Sequence, residues 1–166
     1  MAAELKVALR ARAKMDSQAL AEAEDLIAAL KTIKRKIEER AQALGYSEVC
    51  RQSIIVCAGE CCRWHFPKRL SRVDFFAAVF KLQAVARTAL AVQVYASGDG
   101  VYQCPLLQND GCIFSFEERP AVCTAAYPCL AGSDYWEYKE RFSSLRASLR
   151  KALGKLIDTY GLETSD

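Results

Sequence analysis

The chain is short of histidine, of long apolar runs and of excess charge of either sign, and each shortage narrows what it can be. Its one histidine is His65. A thiol hydrolase would have to pair Cys62 with His65 and find an orienting group that the sequence does not supply, so that class is set aside. No apolar stretch approaches the roughly 20 residues of a membrane helix. The longest candidate is broken by Lys81, Gln83 and Arg87, so no membrane partner is expected. The 23 basic and 20 acidic residues leave a net charge of +3, too balanced to indicate a nucleic-acid partner by bulk electrostatics. The opening MAAELKVALRARAKMD lacks the apolar core and small-residue cleavage site of a signal peptide, and a cytoplasmic protein is expected. There is no internal repeat and no low-complexity tract.

What is plentiful is cysteine. Seven of the eight cysteines, Cys57, Cys61, Cys62, Cys104, Cys112, Cys123 and Cys129, fall between residues 57 and 129. A reducing compartment disfavours disulfides and leaves such thiols for metal or catalysis. With 166 residues and 52% hydrophobic content, one domain with a real core is expected, 1–166, carrying the cysteines on its loops.

Residues 4–14 read as a weak helix with Leu5, Ala8 and Leu9 on one stripe, followed by a cap at Met15, Asp16 and Ser17. The next helix carries Leu20, Ala23, Ile27, Leu30, Ile37, Ala41 and Leu44 at 3-4 spacing, interrupted by Lys34, with Gly45 as its stop. Residues 1–45 thus form a helical extension or hairpin. The stripe of 20–44 suits an amphipathic helix on its own domain ahead of a protein partner or self-association, and the charge run Lys31 to Arg40 reads as a solvated face. Ser53 to Val56 is a short strand or extended lead-in, and Cys50 an ordinary buried thiol.

Leu70-Ser71-Arg72-Val73-Asp74-Phe75 combines a serine cap, an acidic residue three positions on and a flanking apolar pair. That predicts a helix start. The run Phe75, Phe76, Val79, Phe80, Leu82, Ala86, Leu90 and Val94 extends it to about Ala96 as the central core helix. Val101–Cys104 and Gly111–Phe114 flank Asn109-Asp110-Gly111, a β-hairpin signal that would bring Cys104 near Cys112. Glu117 to Pro120 makes a turn or one helical turn. The last helix, 134–161, has a capping-box pattern at Asp134 and Glu137 and a buried stripe of Trp136, Leu145, Leu149, Leu153, Leu156, Ile157 and Tyr160. The fold class is therefore mainly α, a helical domain with a small β-hairpin and cysteine-bearing loops forming a metal site.

Thiolates are soft anionic donors, and four satisfy a tetrahedral zinc or one iron-sulfur cluster. Seven is more than four. Cys61 and Cys62 are adjacent, and neighbouring side chains in extended backbone diverge, so one of them can serve a second metal, bridge, or remain reactive. Gly59, Gly111 and the prolines at 105, 120 and 128 shape loops whose N–H groups can point at sulfur. His65 is an alternative ligand or a structural histidine. Arg119 ties its loop through carbonyls, Glu117 or Asp110, while Trp64, Phe66, Phe114, Phe116 and Tyr127 shield the site.

The strings Cys104-Pro105-Leu106-Leu107, Asp110-Gly111-Cys112-Ile113-Phe114, Glu118-Arg119-Pro120-Ala121-Val122-Cys123 and Tyr127-Pro128 resemble the zinc- or iron-chelating cysteine-cluster family, the CxxCxxCC or YkgJ-like domain. The resemblance covers residues 57–129. It implies Cys61, Cys62, Cys104, Cys112 and Cys123 as ligands, joined by Cys57 and Cys129. The chain departs from the pattern in its C-x3-C-C opening, in Thr124 where an arginine is usual, and in Cys129 after the Tyr-Pro pair. One relative, flagellin lysine N-methylase, combines such a domain with an iron-sulfur cluster and methyl transfer; here there is no glycine-rich S-adenosylmethionine motif and no C-x3-C-x2-C triplet. The expected function is metal binding by a cysteine-ligated iron-sulfur cluster, [4Fe-4S] ahead of zinc because surplus cysteines and an aromatic shell suit a cluster. The alternatives are a redox or methyl-transfer enzyme using that cluster, or an interaction protein with structural zinc.

Overall fold

In the computed structural model the described residues are 2–46, 48, 70–82, 87, 90, 91, 104, 107, 108, 111, 112, 114–124 and 133–162. Short-range polar contacts set where the helices start. Helix α1 spans Ala2–Ala13. Helix α2, Ser17–Ala43, begins behind Asp16, whose carboxylate accepts from the Ala19 N–H at 2.8 Å and so satisfies one of the donors a helix start leaves open. It stops at Gly45, where φ is +75° and the N–H donates to Gln42 O at 3.0 Å. Helix α3, Arg72–Lys81, carries the full capping box: Ser71 Oγ accepts from the Asp74 N–H while Asp74 Oδ2 accepts from the Ser71 N–H.

Helix α3 is shorter than its apolar run. Leu82 takes an extended conformation (φ −76°, ψ 137°) at the end of the helix, in place of the single helix expected to Ala96. Arg87 donates through Nη1 to Leu82 O at 2.8 Å and to Val79 O at 3.3 Å. A side chain thus satisfies carbonyls that a continued helix would have bonded internally. The long C-terminal helix is likewise two, α4 at Ser133–Arg141 and α5 at Ser143–Tyr160, jointed at Phe142. Phe142 is fully buried, so the joint turns an aromatic ring into the core. Helix α4 starts at Ser133, ahead of the expected cap at Asp134, and Glu137 pairs with Arg141 one turn on.

Helix α3 lies between α1 and α5, and α5 packs in turn on α2. Leu5 and Ala8 of α1, Phe75, Phe76 and Val79 of α3, Ile27, Leu30 and Ile37 of α2, and Leu149 and Leu156 of α5 share one buried cluster. Each large apolar side chain so buried stabilises the fold by about 1.5–3 kcal/mol. Phe76 is its hub, with ring centroids 4.8 Å from Phe80 and 5.1 Å from Tyr160. Arg72 to Glu4 at 2.6 Å links α3 to α1, and the Tyr160 hydroxyl donates to Ala19 O at 3.4 Å, tying the end of α5 to the start of α2. Trp136, expected on the buried stripe, is 67% exposed, with Lys139 Nζ 4.7 Å from its ring centroid. No helix among the described residues is long and apolar enough to cross a membrane.

Candidate metal centre

After Cys104, the cysteine region carries a two-residue antiparallel ladder, β1 (Leu107–Gln108) with β2 (Gly111–Cys112), in which Leu107 stands opposite Cys112 and Gln108 opposite Gly111. Leu107 therefore takes the ladder position that the sequence reading gave to the Val101–Cys104 arm. Phe114 follows and is buried in the main core. Two 3-10 turns, Phe116–Glu118 and Ala121–Cys123, then carry the Glu-Arg-Pro segment and Cys123.

This segment is held by polar contacts from two helices. From α3, Asp74 Oδ1 accepts from the Ala121 N–H at 2.8 Å while its other oxygen serves the helix cap. From α2, Lys34 Nζ donates to the Arg119 carbonyl. Lys31 reaches Glu118 Oε1 at 3.5 Å and Arg35 reaches Glu117 Oε1 at 2.8 Å. Within the turn, the Cys123 N–H donates to Pro120 O at 2.9 Å and the Thr124 hydroxyl to the same oxygen at 3.3 Å. A shallow cleft between α2 and the first turn is lined by Ile27, Leu30, Lys31, Lys34, Glu117 and Glu118, with Ala77 behind them.

The charged row of α2 is solvated at Arg35, Lys36, Glu39 and Arg40, as expected, but not at Lys34. Lys34 is only 4% exposed, and Lys31 is half-buried. Burial pulls the Lys34 ammonium below the ordinary lysine range, while Asp74 and then Cys123 pull it back up. Arg35 and Glu117 favour each other's charged form chiefly through their shared hydrogen bond, at the exposed edge of the same contact. Asp110, one expected partner of Arg119, lies outside the described residues, and among those residues the Arg119 side chain is not seen tying the loop. Its guanidinium carbon lies 5.9 Å from the Phe116 ring centroid, and its Nε is buried with no hydrogen-bond partner; its backbone carbonyl provides the tie to Lys34 instead.

Of the expected ligands, Cys104, Cys112 and Cys123 are described, each half-buried, and Cys104 and Cys112 pack against the hydrophobic core. Cys57, Cys61, Cys62 and Cys129 lie outside the described residues, as do His65, Cys50, Trp64, Phe66, Tyr127 and the Ser53–Val56 segment. Among the described residues no three histidine, cysteine, aspartate or glutamate side chains form a group that could hold a metal ion. The side chains that sequence reasoning missed are Lys34 and, in its second role, Asp74. Lys34 did carry a signal, a charge at the core register between Leu30 and Ile37. Asp74 carried none, because its cap accounts for it locally. Comparison with family models, with curated proteins and with solved structures finds no match for this chain.

Proposed function

We propose that the chain is a metal-binding protein in which cysteines of residues 57–129 ligate an iron-sulfur cluster, [4Fe-4S] ahead of zinc. The observation that carries this reading is the bond from the Ala121 N–H to Asp74 Oδ1 at 2.8 Å. A buried carboxylate sets the backbone two residues before Cys123, in a segment that also receives Lys34 from the opposite side. Such support orients a ligand. Further support comes from the spacing of Cys104, Cys112 and Cys123 within the Arg-Pro-x-x-Cys and Asp-Gly-Cys pattern and from the half-buried setting of all three.

The donor set is thiolate, which suits zinc and iron. Cys104, Cys112 and Cys123 would act together with donors from Cys57, Cys61, Cys62 and Cys129. A bound cluster would supply electron transfer or, with zinc in its place, cross-linking of the loops. The apolar stripe of α2 is buried within its own chain, which sets self-association behind metal binding.

Anaerobic purification followed by metal analysis and absorbance near ~400 nm, where thiolate-to-iron charge transfer is expected, tests the proposal. Iron with sulfide and a brown protein is the expected result. Stoichiometric zinc in a colourless protein removes the iron reading, and a chain that retains and takes up neither metal removes the proposal.

A further inference from the structure

We propose that the solvent face of α5, built by Arg146, Arg150, Lys151 and Lys155, binds the phosphate backbone of a nucleic acid without reading its sequence.

The net charge of +3 averages over a local imbalance. Residues 142–157 hold these four cations and no acidic residue. Arg150, Lys151 and Lys155 are exposed, and Arg146 is half-buried. No ion pair joins any of them to a carboxylate among the described residues, Asp158 included, although it stands three positions beyond Lys155. Nor do they complement the helix dipole, since the last turn of α5 has no basic residue. Arg146 with Arg150 and Lys151 with Lys155 are instead like-charge pairs at four-residue spacing, an arrangement that weakens a helix. The fold gains nothing from this charge, and an external anion is what would neutralise it.

The other side of the same helix decides the class of partner. A basic amphipathic helix that lies on a membrane sinks its apolar stripe into the lipid. Here Leu149 and Leu156 are buried in the core, with Leu145, Leu153 and Ile157 packed against it, so α5 offers a partner its cations and not its apolar stripe. From Arg146 to Lys155 the helix rises about 14 Å, a length over which one strand of a duplex carries about four phosphates. Arginine and lysine on such a rail position a protein on the backbone and carry no base readout.

The test is the anisotropy of a labelled DNA duplex titrated with the full-length chain over a series of salt concentrations. Micromolar binding is expected, with log affinity falling against log salt at a slope of about −3 to −4, the value for roughly four neutralised phosphates. Arg150→Gln with Lys151→Gln is expected to flatten that slope by about 2, one for each cation removed, alike for duplexes of unrelated sequence. Lys6→Gln with Arg10→Gln removes the same charge from exposed positions of α1, which packs on α3, and is expected to keep the wild-type slope. An unchanged slope in the α5 pair, or an equal loss in both pairs, overturns the proposal. So does a chain that leaves the duplex free at about 100 μM, the weak end of non-specific binding, or one that binds phosphatidylserine vesicles and not the duplex. Thermal midpoints are compared first. If the glutamine pair melts below wild type, Arg150→Ala with Lys151→Ala, which favours the helix, takes its place under the same outcomes.

Discussion

Two regions of this molecule are held by different physics. Where α1, α3 and α5 meet, rings and aliphatic side chains fill the space: Phe76 stacks on Tyr160 and touches Phe80, and Leu5, Val79 and Leu156 are buried in the same cluster. At residues 116–124 the turn is held by hydrogen bonds and ion pairs reaching in from α2 and α3. Apolar packing is non-directional and sums over area. Buried polar contacts are directional, and each is expensive to leave half-made. The first kind suits a scaffold and the second suits a segment whose atoms must sit in one place.

The contrast is most exposed at Phe76. Phe76→Ala removes a fully buried ring and is expected to destabilise the chain by about 3–5 kcal/mol in chemical denaturation. Loss of less than Asp74→Ala produces would reverse the ranking of the two regions. Asp74→Ala is expected to cost about 2–3 kcal/mol, the sum of a lost helix cap and a partly buried Ala121 N–H left without its acceptor. Its signature is local: hydrogen exchange at Ala121 should accelerate far more than at the amides of α5. Uniform acceleration would mean that the turn has no separate identity.

The smallest expected effect concerns pH. Burial, with Glu22 adding to it, pushes the Tyr160 phenol above its ordinary value. The folded state then holds the phenolic proton more tightly than the unfolded state, so stability contributed by Tyr160 is intact below about pH 10 and is lost as pH rises through the folded value. Urea midpoints of wild type and Tyr160→Phe measured across that window should converge as pH climbs, the wild type losing more. Parallel lines would show that Tyr160 titrates alike in both states.

Much of the scaffold was legible in the residues. Asp16 and the Ser71/Asp74 pair announced helix starts, and the stripe Ala23, Ile27, Leu30, Ile37 and Ala41 is the buried stripe of α2. Within the site, the spacing of Cys104, Cys112 and Cys123 and the turn at Glu-Arg-Pro were visible, but not what anchors them. Periodicity alone did not reveal that Leu82 ends α3, that Phe142 divides the last helix, or that Trp136 faces outward. A run of apolar residues is compatible with one helix or with two segments that meet the core at different angles, and only the neighbouring elements choose between them.

What the sequence determined by itself is the set of interactions closed within a few residues: caps, turns and the 3-4 stripe, whose partners lie three or four positions away and need no tertiary context. Tertiary structure alone decided the fate of Lys34 and the second role of Asp74, because their partners, Arg119 O and the Ala121 N–H, stand 85 and 47 residues along the chain. A lysine at a core register reads as a flaw in the stripe until the segment that accepts its hydrogen bond is folded against it. Its burial then turns that flaw into the tie that holds the Arg119 carbonyl.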